Sequence, residues 1–297
     1  IDVVLDEQQV SSPSALAFDA TGRLLVADET KGALRLEPDG AVTTLVTGQA
    51  EGIAADAAGH VYVSARNHVV RVAPNGAVTP FAGSDFPGGP GDGAPATQAA
   101  LGDARSLAVD AAGDVYFADF TLANVRMVDG DGVIHTVASA GAPAVVALDA
   151  DGRLLLGDAS IGAVVRIDSD GTATALAGSP TPQNGDGGAA VSAFLGAPAG
   201  IAFDAAGRLV VAANTFDAVT SASAGFLRRV DDDGALVSIA GPIEGDGVGP
   251  LSSTTLSAPA ALALAPPLLL VAGDSARRLF AVDDETDALV RVVAGDY

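Results

Sequence analysis

One phrase occurs six times along this chain, and nothing else in the sequence narrows the fold so far. It opens on a small residue or proline, alternates apolar residues up to an Asp, turns at Gly and resumes as a second apolar run. The first half stands at residues 13–19 (PSALAFD), 51–56 (EGIAAD), 105–110 (RSLAVD), 144–149 (AVVALD), 199–204 (AGIAFD) and 260–265 (AALALA). The sixth copy lacks the Asp and turns at Pro266 and Pro267. The second half follows at 24–28, 61–64, 115–119, 154–158, 209–213 and 268–272. A third run carries arginine in every copy: Arg35, Arg71, Arg126, Arg166, Arg228 with Arg229, and Arg278. A fourth closes each unit, at 42–46, 78–81, 133–137, 173–176, 236–239 and 289–293.

Short β-branched runs separated by Asp/Gly turns, such as 19–22 (DATG) and 231–234 (DDDG), are hairpin signals. Four strands in each of six units predict an all-β fold, a six-bladed β-propeller of four-stranded antiparallel blades. The blades of this single domain are expected near residues 13–46, 50–83, 104–138, 142–178, 197–241 and 258–295. Residues 1–6 are left over, and are expected to help close the ring beside the last blade. The small residues of the first run (Ala15, Ala17, Ala54, Ala108, Ala202, Ala263) suit an innermost strand, where blades crowd the axis.

Composition removes several classes of function. A net charge of −22 repels nucleic-acid phosphates and anionic membrane faces. No uncharged apolar run reaches the roughly 18 residues that a membrane-spanning helix requires. The nearest, residues 258–273, is interrupted by Pro259, Pro266 and Pro267. The chain has no cysteine, which excludes disulfide scaffolds, zinc thiolates and thiol catalysis.

These phrases resemble the NHL-repeat family over nearly the whole chain. The family pattern runs Pro-x-Gly-Ile-Ala-Val-Asp, then Val-Tyr-Val-Ala-Asp, then Asn-x-Arg-Ile-Arg, then Thr-x-Ala-Gly. Residues 198–204, and Asp119 with Asn124 and Arg126, match it closely, and Ala-Gly closes units at 82–83, 177–178, 240–241 and 294–295. The family's Gly-Asp-Gly-Gly-Pro-Ala linker is echoed at 91–96 and 185–190, and more faintly at 245–247. The resemblance implies a non-catalytic sensor or scaffold domain of a bacterial protein, extracellular or periplasmic. It would be monomeric and free of cofactor, and would bind a protein or small-molecule ligand.

Strand polarity places a site. Links from a fourth strand to the next first strand share one face with the second-to-third hairpins, and the tight Asp/Gly turns lie on the other. The long connections (84–103, 179–196, 242–257 and 214–225) are therefore expected on one face, with Asp92, Asp186, Asp246, Phe86, Phe120, Phe194 and Phe216. Aromatic residues are 4% of the chain, so four on one face mark a candidate binding surface. The alternative is that the linkers are spacers and the rings plug loops onto the blades. The axial channel opens on the same face at Ser14, Glu51, Arg105, Ala144, Ala199 and Ala260. Glu51 and Arg105, on adjacent blades, are expected to form a salt bridge, with a ligand site as the other reading.

Glu51 and residues 59–64 (GHVYVS) also resemble the gluconolactonase and senescence-marker-protein family. Its propellers hold calcium or zinc in the channel for ester or lactone hydrolysis. That resemblance implies Glu51 as a ligand for Ca2+. Where the family has Asn and Asp, however, this chain has Ala199 with Gly200 and Ala260 with Ala261. His60, His68 and His135 fall in a turn, a third strand and an outer strand, which leaves no Ser-His-Asp triad. Asp28, Asp119, Asp158 and Asp274 end second strands and are expected to cap their hairpins and bond Arg35, Arg126, Arg166 and Arg278. The turns starting at Asp129, Asp168 and Asp231 resemble calcium loops but lack the later ligands, and are read as hairpin turns.

Overall fold

The computed structural model describes residues 10–84, 91–181, 185–217, 222–240, 259–265, 268–273, 278–283 and 288–294. The repeated phrase becomes six antiparallel four-stranded sheets, each with its strands in chain order from axis to rim. The first blade is β1 (Pro13–Phe18), β2 (Leu24–Asp28), β3 (Gly32–Leu36) and β4 (Val42–Val46). The second is β5 (Gly52–Ala55), β6 (Val61–Ala65), β7 (His68–Val72) and β8 (Val78–Ala82). The third is β9 (Ala104–Val109), β10 (Val115–Asp119), β11 (Asn124–Val128) and β12 (Ile134–Ser139). The fourth is β13 (Pro143–Leu148), β14 (Leu154–Asp158), β15 (Ala163–Ile167) and β16 (Ala173–Gly178). The fifth is β17 (Ala197–Phe203), β18 (Leu209–Asp217), β19 (Ala222–Val230) and β20 (Leu236–Ala240). The sixth is β21 (Pro259–Ala265), β22 (Leu268–Gly273), β23 (Arg278–Asp283) and β24 (Ala288–Ala294). Each innermost strand packs on the next, and β21 packs on β1, so the ring closes. Residues 1–6 lie outside the described residues.

The core is divided among the seams between blades. Six apolar clusters each join two adjacent blades, from Leu25 and Val63 at the first seam to Leu279 and Leu24 at the last. This follows from alternation: a strand shows one face to each neighbouring blade, so both faces of every sheet are buried. The turns at Asp129, Asp168 and Asp231 are tight hairpin turns, closed by Gly132, Gly171 and Gly234 donating back to the Asp carbonyls.

The described parts of two long connections, 91–101 and 185–195, depart from the expected single-faced cluster, and residues 242–257 lie outside the described residues. Residues 91–101 leave the mouth and wedge into the seam between the second and third blades. Ala96, Ala99 and Leu101 join the buried cluster of Phe117 and Ile134. The backbone of this linker pairs with the rim of the third blade: Gly93 N–H donates to Ile134 O, and Ile134 N–H to Ala94 O. Residues 185–195 repeat the arrangement at the fifth blade, with Ala190, Ala193 and Leu195 buried and Gly187 and Gly188 paired to Leu236. Val10, three residues before β1, fills the seam between the sixth and first blades in the same way. Within the stretch 214–225, expected as a loop, residues 214–217 and 222–225 continue as sheet, with Asn214 opposite Gly225 and Asp217 opposite Ala222.

The carboxylates ending the second strands are buried caps. Asp28 accepts from the N–H groups of Ser11, Ser12, Thr30 and Lys31. Asp158 accepts from those of Gly141, Ala142 and Ser160. Each cap ties its own hairpin to the incoming linker. The expected pairing with the third-strand arginines does not occur. Arg35 bonds Glu37, Arg166 bonds Asp168 and Arg126 bonds Asp92, because each carboxylate cap is already filled by backbone donors. Asp274 lies outside the described residues.

Candidate functional site

The inner strands open on the linker-bearing face into a funnel of about 690 Å³. Its two sides differ. Toward the first three blades it is polar, with Ser14, Glu29, Glu51, Asp103, Arg105 and Ser106. Toward the last three it is a mostly apolar wall of Ala144, Ala159, Ala199, Gly200, Pro259 and Ala260, in which Asn214 is the polar side chain. The narrow fit on the polar side depends on Gly52, where a Cβ would stand 2.3 Å from the carbonyl oxygen of Arg105. A side chain there would hold the second and third blades apart.

Glu51 and Arg105 both reach the funnel, but they do not form the expected salt bridge. Arg105 Nε donates to Asp103 at 2.8 Å, and its guanidinium lies 3.7 Å above the Phe120 ring. Residues two apart on an extended strand point the same way, so Asp103 intercepts Arg105 before Glu51 can. Glu51 instead accepts from Gln49 Nε2 at 2.8 Å, and Gln49 accepts from Arg66 Nε at 3.1 Å. Glu51 Oε2 is buried and meets no N–H or O–H donor. The Asp103 carboxyl lies beside it and disfavours its ionisation. Burial, the hydrogen bond with Asp103 and the charges of Asp103 and Glu29 together push Glu51 up to about 7, with Arg105 opposing. Asp103, Glu29 and Gln49 were not singled out from the sequence. The period of two that links Gln49 to Glu51 and Asp103 to Arg105 is the signal that would have found them.

The remaining candidates are dispersed. Asp92 is on the rim, where it accepts from Arg126 Nη2 at 2.9 Å and Thr136 Oγ1 at 3.0 Å. Asp186 accepts from Ser238 N–H at 3.2 Å on the fifth blade. Both fasten linkers to outer strands, which is the spacer role. Phe194 is 44% exposed and its carbonyl accepts from Arg228. Phe216 sits in β18 opposite Ser223. Its side chain, Phe86 and Asp246 lie outside the described residues.

The donor set does not fit a calcium or zinc ion. Among the described residues no three His, Cys, Asp or Glu side chains come together as a metal-binding group. The funnel positions that would complete a ligand set with Glu51 are the apolar Ala199, Gly200, Ala260 and Ala261. The histidines are likewise dispersed: His60 bonds Asp56, His135 bonds Asp129 and His68 bonds Asn67. No helix among the described residues is long and apolar enough to cross a membrane.

A family model of the teneurin NHL domain matches residues 85–145. No curated protein matches the chain in sequence. Among solved structures, a chain of a nidogen–laminin complex is 19% identical, with 91% of this chain and 92% of that chain covered and a TM-score of 0.63. Virginiamycin B lyase from Staphylococcus aureus is 16% identical, with 96% and 84% covered and a TM-score of 0.60. A protein assigned as a gluconolactonase is 14% identical, with 93% and 86% covered and a TM-score of 0.58. Identities this low speak to the fold alone. The closed ring of six four-stranded sheets makes the chain a six-bladed β-propeller, and its residues 85–145 are similar to the NHL domain of teneurins.

Proposed function

We propose that this propeller is a non-catalytic binding domain that takes a protein segment or small-molecule ligand into the funnel on its linker-bearing face. The observation that carries this reading is the two-sided funnel. A preformed concavity with an apolar wall and a few convergent polar groups is what ligand sites are built from. Glu51, Asp103 and Arg105, with Phe120 beneath, supply orientation, and the alanine wall supplies contact area. An extracellular or periplasmic setting and a monomeric state belong to the same reading. The neighbour from the nidogen–laminin complex is a precedent for a propeller of this shape within a two-protein assembly.

The test is a fluorine NMR fragment screen of the wild type beside Ala144→Phe, which narrows the funnel from its apolar side. Fragments that bind the wild type should lose binding in Ala144→Phe. Arg105→Ala should weaken those that carry an acceptor group. If the same fragments bind the narrowed variant with unchanged affinity, the funnel is not the site.

A further inference from the structure

On the face opposite the funnel, the seam between the fourth and fifth blades opens as a crevice of about 340 Å³. Its floor is the end of the seam core: Leu155, Leu176, Phe203, Leu209 and Val230. Its rim carries three guanidinium groups, Arg153 and Arg166 from the fourth blade and Arg208 from the fifth. The chain has 15 Lys and Arg against 37 Asp and Glu, so three arginines at one crevice are a local concentration. The repeat explains how they gather. Arg153 and Arg208 hold the same place in the turns 149–154 (DADGRL) and 204–209 (DAAGRL) of consecutive blades. The equivalent positions are Arg23 in the first blade, His60 in the second and Asp114 in the third.

These arginines do not close the seam. Arg153 pairs with Asp149 at 2.7 Å and Asp151 at 2.8 Å, both on its own blade. Arg166 pairs with Asp168 at 2.7 Å, again on its own blade. Arg208 pairs with Asp204 at 2.6 Å and approaches Asp231 at 3.8 Å, both on the fifth blade. Among the described residues, none of their ion pairs joins the two blades. Nη1 of Arg153, Nη1 of Arg166 and both terminal nitrogens of Arg208 make no hydrogen bond there. Each guanidinium is thus held by carboxylates of its own blade and keeps N–H donors to spare beside the apolar cleft.

We propose that this crevice is a second ligand site, separate from the funnel, for a small apolar carboxylate whose anionic end bridges the arginines of the two blades. Guanidinium forks match carboxylate geometry, and charge-assisted bonds strengthen beside a low-dielectric floor. The size suits a compact body, since small-molecule pockets span roughly 300–1,000 Å³. Asp149, Asp231 and Asp232 share the lining and disfavour a doubly charged phosphate, which selects a monoanion.

The experiment titrates the full chain with 2-naphthoate and, separately, its uncharged amide, followed by calorimetry and amide NMR. The acid should bind one to one, about tenfold more tightly than the amide, and shift the resonances of Phe203 and Val230. Arg153→Gln with Arg166→Gln should weaken the acid by about tenfold and leave the amide as it was. Both arginines are partly exposed, and the single Arg153→Gln, at 48% exposure, serves if the double variant does not fold. Binding should persist in the funnel variant Ala144→Phe, so the two sites succeed or fail separately. Equal affinity for acid and amide, no loss in the arginine variants, or no binding at millimolar acid would each overturn the proposal.

Discussion

Replacing Glu51 by Gln probes the raised carboxyl in the funnel directly. The Glu51 carboxyl is held at about 7 against an ordinary 4.5. Between these values the folded chain holds the proton and the unfolded chain has lost it. Stability therefore falls as the pH rises from about 4.5 through about 7, and the cost is complete above that. At ~1.36 kcal/mol per pH unit the interval bounds the effect near 3 kcal/mol, roughly. The side chain is only half buried, and solvent screening brings this to about 1–2 kcal/mol. Gln at this position keeps an acceptor for Gln49, offers an N–H toward Asp103, and cannot ionise. The variant should match the wild type at about pH 4 and exceed it by about 1–2 kcal/mol at about pH 8.5. Urea unfolding at the two pH values, with unchanged m, reads this out. The gain corresponds to about 2–4 °C in Tm. A difference independent of pH, or a carboxyl carbon titration of Glu51 with a midpoint near its ordinary value, would refute the crowding of Glu51 by burial and by Asp103.

Gly52→Ala should cost about 3 kcal/mol, because the new Cβ meets the Arg105 carbonyl at 2.3 Å and Ser64 Oγ at 2.7 Å; the loss reads as a lower urea midpoint with shifted funnel resonances. Asp158→Ala removes the acceptor of the Gly141, Ala142 and Ser160 N–H groups and should cost about 3 kcal/mol or more near neutral pH. Burial opposes ionisation of Asp158, but its hydrogen bonds outweigh that and hold the carboxyl below its ordinary 3.8. Its contribution is thus present above that value and lost as the pH falls below it, so the gap between variant and wild type should narrow in acid. If the linkers are spacers, Leu101→Ala should cost about 2–4 kcal/mol through the cavity it leaves. Asp92→Ala, whose carboxylate is 50% exposed, should cost under about 1 kcal/mol, and neither change should alter ligand binding in the funnel.

The ring was legible in the sequence because its determinants are local. A strand alternates with period two, a turn requires Gly after Asp, and six copies in register leave one architecture. The acidic caps at Asp28 and Asp158 were legible too, since each ends a recurring second strand. What those caps bind was not. They are filled by the N–H groups of linkers arriving from the previous blade, and that approach exists only once the blades are side by side.

The site divides along the same line. Sequence placed Glu51 and Arg105 at the channel mouth and Phe120 on the same face from strand polarity, and left the linkers between two roles. Tertiary structure assigned Asp92 and Asp186 to the rim, because linker backbone finds its partners on outer strands some 40 residues further along. It also gave Arg105 to Asp103 and left Glu51 beside that carboxyl, since Gly52 brings two blades into contact at that point. The arginines of the crevice were visible as letters in two consecutive turns. Only closure of the ring sets them facing each other, because a repeat dictates what each blade carries while the seam between blades decides what those side chains meet.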